Sequence, residues 1–190
     1  MAKRFFTSDL HFNSTVLVEE RLRPFANVEK MNRSLVRNIN QRCTEDDILI
    51  HLGDFLQYGN DREWEGMKTK PSEFIRLLNP TFVNVQGNHD AHNGIKSVCH
   101  SMRTFLGKKY SVSMSHYPSN NPKARGTFRK GDVHLCGHVH NEWKYFIDFE
   151  NKVLNVNVGV DVWGYNPVSE DELIGFIDRI ILTNGFAVKK

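Results

Sequence analysis

Cysteine is scarce in this 190-residue chain: Cys43, Cys99 and Cys136 are the only three. None belongs to a CxxC pair, and an odd number cannot all pair within one chain. Neither a disulfide framework nor a cysteine-based zinc knot is expected, and the usage fits a reducing, cytoplasmic setting. Long apolar runs are missing too. No stretch approaches the roughly 20 residues of a spanning helix, and residues 1–10 lack the apolar core of a secretory leader, so no membrane association is expected. Excess charge is small: a net +3 argues against a dedicated nucleic-acid coat but leaves room for a local basic patch. Repeats, low-complexity tracts and linkers are absent. With 39% hydrophobic and 11% aromatic residues the chain reads as globular, and its length suits a single domain over residues 1–190.

What is present is histidine, nine of them, and their placement directs the reading. Residues 4–7 read as a short buried strand running into Ser8-Asp9-Leu10-His11. Val28, Met31, Leu35, Val36 and Ile39 mark one face of a helix that stops near Arg42. Ile48-Leu49-Ile50 is a continuous apolar run, the pattern of a strand buried on both faces, and it ends in His51-Leu52-Gly53-Asp54. A weaker helical pattern over 61–78 has Pro71 starting a new turn. A third strand over 81–85 ends in Gly87-Asn88-His89-Asp90. Strand, helix, strand, helix, strand is the βαβ order. The second half is mainly β: strands over 110–114 and 133–136, a hairpin over 144–149 and 153–158, then a helix with a capping box at Ser169 and Glu172. Its stripe of Leu173, Phe176, Ile177, Ile180 and Ile181 is a core face. Two sheets packed face to face with helices outside are expected.

Five loops, each just after an expected strand, hold metal-type ligands: Asp9-Leu10-His11, Gly53-Asp54, Gly87-Asn88-His89-Asp90, Ser115-His116 and Gly137-His138-Val139-His140. Ligands gather outside the carboxyl ends of strands in open α/β sheets. In an extended segment residues i and i+2 point to one side, so Asp9 with His11, and His138 with His140, are expected to aim at one centre. Glycine before Asp54, Asn88 and His138 allows close backbone approach. The donors number seven: Asp9, His11, Asp54, Asn88, His116, His138 and His140. That is too many for one ion and suits two if a carboxylate bridges, with Asp54, from the central strand, as the natural bridge.

These elements resemble the calcineurin-like metallophosphoesterases, whose pattern is D-x-H, G-D, G-N-H-(D/E), H and G-H-x-H in that order. The resemblance runs from Asp9 to His140, and residues 155–168 look like the closing segment of small members. It implies an α/β, four-layer αββα sandwich of two packed mixed sheets flanked by helices. It implies that Asp9, His11, Asp54 and His140 hold a first metal and Asp54, Asn88, His116 and His138 a second. His89 would be the catalytic imidazole beside the leaving group. Two ions roughly 3.5–4 Å apart would clamp a phosphoryl oxygen and make hydroxide available at neutral pH, with His89 as general acid. Mn²⁺ is the first expectation; Fe, Zn, Ni or Co also fit.

Departures from the family pattern narrow the substrate. Gly53-Asp54 is followed by Phe55-Leu56-Gln57-Tyr58-Gly59, without the second Asp and the Arg of protein phosphatases, so a phosphoprotein substrate is not expected. His11-Phe12-Asn13-Ser14 replaces the H-F-G-H of small relatives, which would alter contacts near Ser14. The chain is expected to hydrolyse a nucleotide-like phosphodiester, small or cyclic. The alternatives are a metal-dependent nuclease on DNA or RNA, and a protein-binding scaffold of the same fold, against which the intact ligand set and His89 speak. Lys123, Arg125, Arg129 and Lys130 form either an electropositive lip, with Arg125 and Arg129 binding substrate, or a solvated loop. Trp143, Trp163 and Tyr165 either stack on a base or pack, packing being favoured. His51, His92, His100 and His134 read as structural, His92 with a supporting role at the site as the second option, and Cys136 as a buried apolar residue.

Overall fold

The computed structural model describes residues 2–57 and 70–189. Its elements are β1 (Arg4–Thr7), α1 (Thr15–Glu19), α2 (Val28–Arg42), β2 (Ile48–His51), α3 (Pro71–Arg76), β3 (Thr81–Asn84), β4 (Ser101–Leu106), β5 (Tyr110–Ser115), β6 (Val133–Cys136), β7 (Tyr145–Asp148), β8 (Val153–Asn157), β9 (Val168–Ser169) and α4 (Glu170–Asn184). The strands build two mixed sheets, β3-β2-β1-β9 and β4-β5-β6-β8-β7, with helices flanking them, the α/β class expected.

In the first sheet β1, β2 and β3 are parallel and β9 is antiparallel to β1. Side chains alternate across each strand. Phe6 and Ile50, paired in register, turn inward to Val112, Met114, Leu135 and Val156 of the second sheet. Phe5 and Leu49 turn outward to Met31, Leu35 and Ile39 of α2 and Phe74 of α3. Both faces of β2 are therefore buried, as its apolar run implies. Asn27 caps α2 by accepting the Lys30 N–H at 2.8 Å, and the helical period puts Val28, Met31, Leu35 and Ile39 on the sheet. In α4 the capping box of Ser169 and Glu172 forms. Its buried Leu173, Ile177 and Ile180 join the core between the sheets.

In the second sheet β5, β6 and β8 are parallel, with β4 and β7 as antiparallel edges. Its inner face is apolar; its outer face carries buried Ser113, Ser115, His134 and Asn155. Loop 117–131 satisfies that polar face. His134 Nε2 lies 3.0 Å from the Tyr117 carbonyl, and the Ser119 N–H donates to Asn155 Oδ1 at 2.8 Å. With Nδ1 on Ser113 Oγ at 2.9 Å, His134 is a satisfied structural histidine.

Three elements were not anticipated: α1, β4 and β9. Each is short or lies at a sheet edge, and depends on tertiary pairing; β4 is specified by its register on β5. The helix expected over 61–78 lies partly outside the described residues. Within them α3 starts at Pro71 and ends at Arg76, with Leu78 buried and Leu77 exposed.

Candidate metal centre

All five ligand loops leave the carboxyl ends of parallel strands, and main-chain bonds stitch them together. Asp9 N–H donates to the Gly53 carbonyl, His11 N–H to that of Asp54, and Gly137 N–H to that of His116, each at 3.0 Å. A parallel bridge between Ser8 and Gly159 joins the two sheets at this end. The paired ligands are not extended, contrary to the i, i+2 argument. Asp9 (φ 56°), His11 (46°), Asp54 (61°), His138 (72°) and His140 (46°) all adopt the left-handed region. Asp and His tolerate that region better than most residues, yet it costs of order 1–3 kcal/mol at each site. The turns, not strand alternation, aim these side chains. Glycine does allow close approach: a Cβ on Gly87 would lie 2.3 Å from Asp54 Oδ1, and one on Gly137 2.4 Å from Asp9 Oδ2.

The side chains gather into two groups. Ligand atoms of Asp9, His11 and His140 lie within 4.8 Å of one another, as do those of Asp54, His116 and His138. Asn88 joins the second group, its Oδ1 3.0 Å from His116 Nε2. Asp54 stands between the groups: its Oδ2 lies 3.7 Å from His11 Nε2 and 3.3 Å from His116 Nε2. Its Oδ1 accepts the His89 N–H at 2.9 Å. The His89 imidazole is half-exposed at the rim, Nε2 4.0 Å from Asp54 Oδ2.

The set fits divalent ions on its own chemistry. Both ring nitrogens of His11 are buried with no hydrogen-bond partner among the described residues, a costly state for a polar group unless something else binds it. Burial holds the His11 imidazole well below its ordinary value, so it is neutral, the form that ligates. Burial also pulls His116 down, but its bond to Asp54 and the charges of Asp9 and Asp54 outweigh that and push it up to about 9. For Asp54 the effect of burial is outweighed by His116 and His11, which hold it well below the carboxylate range. Before any ion binds, the neighbouring carboxylates hold the His116 proton more tightly than an ordinary imidazole does, and an ion taken up at Nε2 must displace it. Metal uptake near neutral pH is therefore expected to release a proton. Affinity should rise about tenfold per pH unit for that proton as pH climbs toward the His116 pKa. Calorimetric titrations in buffers of different ionisation heat measure the release, and uptake without it would contradict a ligand role for His116.

Supporting residues hold the donors. His116 Nδ1 lies 2.8 Å from the Leu52 carbonyl, leaving Nε2 toward the centre. His140 Nδ1 lies 3.1 Å from Asp161 Oδ2. Asp161 is in turn gripped by Arg23, with Nε and Nη2 each 2.8 Å from its oxygens. Arg23, almost fully buried, also donates to the carbonyls of Leu10 at 2.9 Å and Asp9 at 2.6 Å. Asp90 fixes the His89 loop through its backbone: Oδ1 accepts the Phe55 N–H and Oδ2 the Gly87 N–H. Asp161 and Arg23 were missed from sequence. A signal existed for Asp161, which lies in the loop after β8, the sixth parallel strand ending here.

Other candidates lie elsewhere. Arg125 lines a groove of about 510 Å³ with Phe128, Phe146 and Asp148, and no donor of the centre lines it. The Arg129 N–H donates to Asp132 at 2.8 Å, placing Arg129 near the amino end of β6, opposite the end that leads to His138. Neither arginine joins the centre. Trp163 packs on Phe176 and donates to the Asn157 carbonyl at 2.8 Å. Tyr165 packs on Phe25 and Trp143 on Phe146. Ser14 caps α1 and contacts Gln57. His51 is buried against Asn84, while His92 and His100 are exposed.

The family whose signature matches this chain is the calcineurin-like phosphoesterase superfamily domain, over residues 4–167. An uncharacterised protein of Methanocaldococcus jannaschii is 31% identical over 180 residues, spanning 94% of this chain and 93% of its own. A solved protein of unknown function from Aquifex aeolicus covers 93% of this chain and 100% of its own, with a TM-score of 0.64 and 23% identity. A nuclease from Pseudomonas putida covers 82% and 78%, with a TM-score of 0.47 and 20% identity. Of these two structures the Aquifex one is similar enough to speak to the fold.

Proposed function

The chain belongs to the calcineurin-like phosphoesterase superfamily, a metal-dependent family of phosphoric ester hydrolases, and from that premise we propose that it cleaves phosphodiesters of small or cyclic nucleotide type at a two-ion centre. Asp9, His11, Asp54 and His140 hold one ion; Asp54, Asn88, His116 and His138 hold the other. The observation that carries this is Asp54, one carboxylate oxygen of which faces an imidazole of each group. Mn²⁺ suits the mixed oxygen and imidazole set, and Fe, Zn, Ni or Co suit it as well. Three free thiols fit a cytoplasmic setting, and among the described residues no helix is long and apolar enough to cross a membrane.

Bound ions would supply charge stabilisation at the phosphoryl oxygens and an activated nucleophile. The chain's own residues position and protonate. The His89 main chain is tied to Asp54 Oδ1, and Asn93 Nδ2 donates to its carbonyl at 2.8 Å. The imidazole is thus held at the rim, where a departing oxygen leaves, and in its protonated form it delivers the proton. Chelated protein is expected to be inactive on bis(p-nitrophenyl) phosphate and to regain turnover with Mn²⁺. His89→Ala should lower kcat by about 10²–10⁴-fold with metal content unchanged, because the bond to Asp54 is made by the main chain. Metal-loaded protein that turns over neither this diester nor the matching monoester would overturn the reading. Cleavage of DNA or RNA at the same centre is the second reading, favoured by a lysine held against Tyr117, the neighbour of His116 and His138.

A further inference from the structure

Loop 117–131 carries four cations, and Lys123 is the one held against the residue beside the centre. Tyr117 directly follows His116. Its ring meets those of His116 and His138 edge to face, with centroids 5.1 and 4.7 Å away. Lys123 reaches back to it: Nζ lies 3.2 Å from the Tyr117 hydroxyl and 5.0 Å from the ring centroid. The turn that presents Lys123 is fixed. Asn121 Oδ1 accepts its N–H at 3.0 Å, Ala124 is buried, and Thr127 donates to the Ala124 carbonyl at 2.7 Å.

Among the described residues Lys123 pairs with no carboxylate, and neither do the side chains of Arg125, Arg129 and Lys130 on the same loop; the contact with Tyr117 is what sets Lys123 apart. Its ammonium is exposed, on a fixed turn, one aromatic ring away from His116 and His138, and so can meet an anionic group of a substrate held at the centre. The scissile phosphate belongs to the centre, so the anion for Lys123 is a different one. The ammonium lies at the hydroxyl end of Tyr117, outside the ring's centre, and the imidazoles of His116 and His138 meet the ring from the side.

We propose that Lys123, held at the Tyr117 hydroxyl, binds the phosphate adjacent to the scissile one, so that within the small phosphodiesters a short linear nucleotide chain carrying a second phosphate is preferred over a cyclic nucleotide. This rests on the phosphodiesterase reading for its chemistry and adds a preference which that reading does not contain. With Mn²⁺, the wild-type protein is expected to favour a dinucleotide bearing a terminal 5′- or 3′-phosphate over the unphosphorylated one. One charge-assisted contact makes this about tenfold or more in kcat/KM. Lys123→Gln should erase that ratio and Lys123→Arg should retain it; a ratio unchanged in Lys123→Gln overturns the proposal. A second measurement needs no turnover. In chelator, a single-stranded oligonucleotide should bind Lys123→Gln more weakly, with the slope of log affinity against log salt reduced by about 0.7. Equal affinity and slope, or no binding by the wild type, would also overturn it. A binding difference without hydrolysis of any diester would count against the phosphodiesterase reading and leave the role of Lys123 standing.

Discussion

Replacing Asp54 with alanine is expected to empty both ion sites, not one. Its Oδ2 is the oxygen that faces His11 at 3.7 Å and His116 at 3.3 Å, and among the described residues it is the carboxylate whose oxygen faces an imidazole of each group. Removing it leaves each group with its imidazoles and takes away a charge they share. The loss should exceed the 10–100-fold in affinity that a merely supporting residue costs, because here a shared ligand goes. Asp54→Asn is the informative partner. It keeps an oxygen for the His89 N–H, which now meets Oδ1 at 2.9 Å, but removes the charge. If charge is what bridges, Asp54→Asn loses metal nearly as Asp54→Ala does. If the carboxylate chiefly holds the His89 loop, Asp54→Asn keeps both ions. Metal content after equilibrium dialysis, with calorimetric titration of Mn²⁺, separates these outcomes, and two tightly held ions in Asp54→Ala would end the bridging assignment.

The loops that gather the candidate donors were legible because each announces itself twice, by a preceding apolar run and by residue types with donor chemistry. The same logic reached the parallel part of each sheet. It failed where a residue's role is set by what folds onto it. Arg23 looks like any surface arginine in sequence, yet it is buried because two carbonyls and a carboxylate converge on its guanidinium. The course of loop 117–131 escaped because it is set by buried hydrogen bonds from His134 and Asn155, and such pairing leaves no periodicity. Position between His116 and His138 brings this loop to the centre in sequence but does not say which of its cations turns toward it; Lys123 is the one in contact with Tyr117. The left-handed turns at Asp9, His11, Asp54, His138 and His140 are likewise invisible to a rule built on extended strands. Their strain persists because neighbouring loops hold the main chain on both sides.

The largest effect on stability is expected from parting Arg23 and Asp161. The pair is buried, with side-chain exposures of 0% and 6%, and bidentate. Arg23→Met leaves the Asp161 carboxylate facing only His140, and stranding one partner of a buried pair costs about 3–5 kcal/mol. Asp161→Leu strands the guanidinium in the same way and also frees His140 Nδ1. Removing both charges together should cost less than the sum, since apolar replacement of a buried ion pair is often neutral. Recovery will be incomplete, because the carbonyls of Asp9 and Leu10 lose their donor, at about 1–3 kcal/mol for a buried group left unsatisfied. Metal affinity should behave differently. Any chain lacking Asp161 has lost the carboxylate that turns His140 Nε2 toward Asp9 and His11, so affinity at that group falls about 10–100-fold in the single and in the double variant alike. Denaturant unfolding of the metal-free proteins measures the first quantity and calorimetric titration the second. Strictly additive destabilisation would show that the two residues do not act as a pair. Affinity restored in the double variant would show that Asp161 does not orient His140, and that Arg23 and Asp161 serve the fold alone.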